Sequence, residues 1–126
     1  MNKFNFTSQE KKAIICALGG IMGADGKHEK KEMDYLFGVG TTLLGLPLNE
    51  VPDALKMGAY VWIQILSEMT TEAKKEVAGM MIGMIMADDF PHDKEIEIFL
   101  FICRMAGIPI PNHAYERLKN LKPYRP

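Results

Sequence analysis

An all-α fold of about seven helices is predicted for this chain, built as two helix-hairpin units around a central apolar helix. Three observations predict it. Apolar residues recur at helical spacing through most of the chain. Residues 7–56 return as residues 70–119: Thr7 meets Thr70 (70 − 7 = 63), Lys11-Lys12 meets Lys74-Lys75, Gly20 meets Gly83, Ala24-Asp25 meets Ala87-Asp88, and Lys31-Glu32 meets Lys94-Glu95. Such a repeat fixes the architecture before single residues are read. Each unit also carries the same stop signal, Gly45-Leu46-Pro47 and Gly107-Ile108-Pro109, at an offset reduced by one (107 − 45 = 62).

The first helix starts with a capping box, Thr7 at the N-cap and Glu10 three residues on. Its apolar stripe is Ile14, Leu18 and Ile21, with Ile15 and Met22 beside it. A turn follows at Asp25-Gly26-Lys27-His28. The second helix is expected from about Lys30 to Leu44, with Met33, Leu36, Phe37, Gly40 and Leu43 inward. Gly45 can take the left-handed conformation that ends a helix, and Pro47 forbids continuation. A short third helix is expected after Asn49 as N-cap, where Pro52 is tolerated in the first turn.

The second unit repeats the pattern. A helix starts at Thr70-Thr71 and turns Val77, Met81, Met84 and Ile85 inward. The next runs from about Asp93 to Ala106 with Ile96, Phe99, Leu100, Ile102 and Cys103, and a last short helix after Asn112 carries Tyr115, Leu118 and Leu121. Residues 59–66 have no counterpart. They are apolar nearly all round, so they are expected to form the central, buried helix. The competing reading is a partner surface built on Tyr60 and Trp62. The dense run Met80, Met81, Met84 and Met86 is expected to be core filling, with adaptable binding as its alternative.

Composition narrows the function classes. A chain of 126 residues, 48% hydrophobic and 25% charged, suits one globular domain spanning 1–126. A net charge of −1 recruits neither nucleic acid nor an anionic membrane. No apolar run is long enough to span a bilayer, and Met1 to Thr7 does not read as a signal peptide. A cytoplasmic protein, monomer or homodimer, is expected. Cys16 and Cys103 have no metal or redox spacing and read as buried thiols.

One constellation appears twice: Asp25 with Glu32, and Asp88 with Glu95. Asp25 lies four residues after Ile21 and seven after Leu18, on the buried stripe. Glu32 precedes Leu36 by four, and Glu95 precedes Phe99 by four. Four carboxylates thus stand where core residues belong, which is costly unless they are paired, hydrogen-bonded or metal-bound. Three roles are open. The preferred one is structural: each Asp closes a turn, and each Glu at N3 satisfies a helix start whose N-cap positions, Glu29 and His92, are poor caps. The second is a site for calcium, magnesium or manganese, with His28 and His92 flanking it. The Asp-to-Glu spacing is seven (32 − 25 = 7), which excludes an EF-hand loop. The third is acid–base catalysis, which lacks an accompanying nucleophile or phosphate-binding loop.

Around Ala24-Asp25-Gly26 with Glu32, and Ala87-Asp88-Asp89 with Glu95, the chain resembles the tellurite-resistance TerB superfamily, which includes the N-terminal region of certain DnaJ-type co-chaperones. The resemblance spans roughly Thr7 to Leu121. It implies an all-α fold of about seven helices, a stress-response role, and an acidic surface linked to metal at Asp25, Glu32, Asp88 and Glu95. Asp89 stands where that pattern has Gly, and Glu29 and His92 where it has Ser or Thr. The functional expectation is a non-enzymatic module that binds an unidentified protein partner, with a divalent cation as its implied cofactor. The alternative is a small metal-dependent hydrolase using the same carboxylates.

Overall fold

The computed structural model describes residues 5–24, 30–87 and 93–110. Among the described residues there are six α-helices and no strand. They are α1 (Ser8–Met22), α2 (Lys30–Gly38), α3 (Glu50–Ala54), α4 (Ala59–Ser67), α5 (Thr71–Met86) and α6 (Asp93–Ala106). A π-helical turn, Val39–Leu43, continues α2. The helix expected after Asn112 lies outside the described residues.

The helix starts obey local chemistry. Thr7 Oγ1 accepts from the Glu10 N–H at 3.1 Å, and Glu10 Oε1 accepts from the Thr7 N–H at 2.8 Å. This reciprocal pair satisfies two of the donors that a helix start leaves open. α5 has half of the device: Thr70 Oγ1 accepts from the Ala73 N–H, and Ala73 offers no acceptor in return. Asn49 does not cap α3 as expected. Its side chain makes no cap bond and its backbone is already helical. A turn replaces the cap, with the Glu50 N–H donating to the Pro47 carbonyl at 2.9 Å.

The central helix is α1, which packs against each of the other helices among the described residues. Ala13, Ile14, Ile15, Cys16, Ala17, Leu18, Ile21 and Met22 are all buried along it. Ala13 and Ala17, one turn apart on one face, contribute little apolar area, and their small size suits close approach on that face. α4 was expected in this place, and the structure corrects that. Only Leu66 of α4 is buried, and Tyr60 is 93% exposed. The error has a physical source. An all-round apolar sequence is suited to burial, but α4 buries one stripe against α1 and α6 and leaves the rest outward.

α5 follows expectation, with Val77, Met81, Met84 and Ile85 fully buried. Met80 is buried too, so the methionine run is core filling at Met80, Met81 and Met84. In α6, Phe99, Ile102 and Cys103 are buried as expected, while Ile96 and Leu100 are half-buried. α2 departs more. Leu36 and Gly40 are buried, but Val39 and Leu44 join them where Leu43 was expected. The cause is the π-turn, in which the Leu44 N–H reaches back five residues to the Val39 carbonyl at 2.9 Å. One extra residue in that turn shifts which side chains face inward.

Both predicted left-handed glycines are present, Gly45 at φ +70° and Gly107 at φ +67°. No non-glycine residue among those described has positive φ. After each glycine the next N–H turns back onto the helix, Leu46 to Gly40 and Ile108 to Cys103. These bonds satisfy carbonyls the helix end leaves open. No helix among the described residues is long and apolar enough to cross a membrane.

Candidate functional site

The site begins with two first turns. Lys30 opens α2 and Asp93 opens α6, so Glu32 and Glu95 both stand at N3. Both side chains are wholly buried, at 0% exposure, and they are the only buried charged side chains among the described residues. Their placement follows from helical spacing. Glu32 is one turn before Leu36, at 1%, and Glu95 is one turn before Phe99, at 0%. A carboxylate in the first turn lies near the positive end of the helix dipole, among N–H groups without helical partners. That setting offsets part of the cost of burying it.

Asp25, His28, Asp88 and His92 lie outside the described residues, as do Glu29 and Asp89. The structure therefore describes the glutamate half of each predicted pair. Among the described residues, no three His, Cys, Asp or Glu side chains come together as a metal-binding cluster.

A second candidate region lies on the face of α1 that meets α3 and α4. Cys16, Gly19, Gly20, Met22, Leu55 and Trp62 line a groove of about 340 Å³ there. Trp62 was one of the two aromatic residues of the partner-surface reading, and it sits half-buried at this groove. Tyr60, the other, points away into solvent, and Val61 beside it is 51% exposed. Sequence reasoning missed the outer face of α6, where Phe101 is 48% and Met105 53% exposed. The signal was available. Ile98-Phe99-Leu100-Phe101-Ile102 is apolar at five consecutive positions, more than one buried stripe accounts for.

The two thiols are held protonated. Both cysteines are buried and free. Burial pushes the Cys103 thiol up to about 12. Burial also raises the Cys16 thiol, partly opposed by a backbone hydrogen bond to Met57, and Cys16 further donates to the Ala54 carbonyl. Neither is a thiolate near neutral pH, and the thiolate is the reactive form. The Tyr35 hydroxyl donates to the Met80 carbonyl at 2.9 Å, and burial raises its phenol above the ordinary value. It ties α2 to α5.

No protein-family model matches the chain, and no curated protein matches it. Among solved structures, it is similar to a protein of unknown function from Porphyromonas gingivalis W83. The two are 26% identical, with a TM-score of 0.72, over 94% of this chain and 99% of that one.

Proposed function

We propose that this chain is a non-enzymatic, TerB-like protein-interaction module, with the outward face of α4 as its docking surface. One observation carries the reading. α4 is apolar at nearly every position, yet Tyr60 is 93% and Val61 51% exposed. Tyrosine is favoured at interfaces because one rigid ring supplies both apolar area and a polar tip. The protonated thiols also support a binding role over nucleophilic chemistry. The resemblance to TerB adds a stress-response setting. The buried glutamates serve the fold in this reading, stabilising the first turns of α2 and α6.

The test is quantitative affinity capture from the native host with wild type, Tyr60→Asp, Val61→Asp and a control, Lys75→Asp, on the exposed side of α5. Thermal melts establish that each variant folds. Partners lost with both α4 variants and kept by the control support the proposal. The same partners captured by all four proteins overturn it.

The complete burial of Glu32 and Glu95 also suits a cation site formed with Asp25 and Asp88, and this is the second reading. Melting temperature with added calcium, magnesium or manganese, and with EDTA, separates the two. A structural role predicts no shift, and modest losses in Asp25→Asn and Asp88→Asn that ignore the ion. A cation site predicts a rise in the wild type, following ligand linkage, that either Asn variant abolishes.

A further inference from the structure

We draw no further inference here: the strongest candidate, the apolar groove on the outer face of α6 lined by Ile98, Leu100, Phe101 and Arg104, carries nothing because nothing in the structure shows what covers it.

Discussion

Gly83 of α5 and Gly20 of α1 occupy matched places in the sequence (83 − 20 = 63), and they meet different neighbours. The ring of Tyr35 crosses directly over Gly83. A Cβ there would lie 2.6 Å from Tyr35 Cζ and collide with the hydroxyl. At Gly20 a Cβ would meet nothing within 4 Å. The residue matched to Tyr35 is Ile98 (98 − 35 = 63), a shorter side chain with no hydroxyl. The same glycine is thus a packing requirement in one half and an open groove wall in the other. Identity at matched positions is not equality of energetic role. What a residue contributes depends on its neighbours, and here the neighbours differ.

The ends of α2 and α6 differ in the same instructive way. The matched offset is 63 at Glu32 and Glu95 (95 − 32 = 63) and 62 at Gly45 and Gly107 (107 − 45 = 62). The first half therefore holds one more residue in this stretch. The Ile108 N–H bonds Cys103, five residues back, at 2.8 Å, the ordinary pattern after a left-handed glycine. The Leu46 N–H bonds Gly40, six residues back, at 2.9 Å. The π-turn at Val39–Leu43 lies between, and a π-turn takes up one residue while the helix continues.

Deletion breaks this comparison most sharply. Removing Thr42, exposed in the π-turn, should convert that turn to an ordinary helix and leave a cooperatively folding protein. Removing Phe101 from α6 rotates Ile102, Cys103 and Ala106 by about 100° off the core. That loss should exceed about 4 kcal/mol, because it empties a packed stripe. Circular dichroism melts of the two proteins test it. Equal losses would mean that the π-turn does not absorb the extra residue.

The glycine pair comes next. Gly83→Ala should cost about 1–3 kcal/mol, the range for overpacking a close contact. Gly20→Ala should stabilise by about 0.4–1 kcal/mol, since the helix gains a better former and nothing is displaced. Urea denaturation of both variants reads the signs. If Tyr35 is the obstacle, Tyr35→Leu should recover part of the Gly83→Ala loss in a double-mutant cycle. Two losses of equal size would dissolve the contrast.

Smaller effects are expected at the helix ends. Gly45→Val and Gly107→Val should each cost about 1–2 kcal/mol, because a β-branched residue resists positive φ. A Cβ on Gly45 would meet nothing within 4 Å, so the loss there should come mainly from backbone strain. Wild-type stability in either variant would remove the left-handed cap from the account of that end.

Much of the fold was legible because local rules coincide with burial. Thr7 and Glu10 spell a capping box, Ile14, Leu18 and Ile21 a stripe, and Gly107-Ile108-Pro109 a stop. These depend on a few neighbouring residues. The central position of α1 was not legible, since Ala13 and Ala17 admit neighbours through small size, which hydropathy reads as weak burial. The π-turn was visible only as a lost register, with no residue type marking where the extra residue goes. At the candidate site, the burial of Glu32 and Glu95 followed from spacing to Leu36 and Phe99. Tyr35 over Gly83 did not, because it depends on which helices cross.

The least expected effect at neutral pH separates the two thiols, which are unmatched between the halves. Cys103 is pushed from 9.0 to about 12 by burial, so the folded chain holds that proton more tightly than the unfolded chain. Stability from this group is fully present below pH 9 and falls as pH rises from 9 toward 12. Near pH 7 the thiol contributes no pH slope. By pH 10, one unit above the unfolded value, its share of the loss should reach about 1.4 kcal/mol, the free energy of a tenfold shift in equilibrium. Comparing wild type with Cys103→Ala cancels the contributions of all other groups. The stability difference between the two proteins should move in favour of Cys103→Ala above pH 9. Native Cys103 should also react with a thiol reagent at pH 8 more slowly than Cys16, whose thiol is raised less and whose side chain lines the α1 groove. A difference that stays flat to pH 11, or a Cys103 that reacts as fast as an unfolded control, would mean that the α6 side of the core admits water.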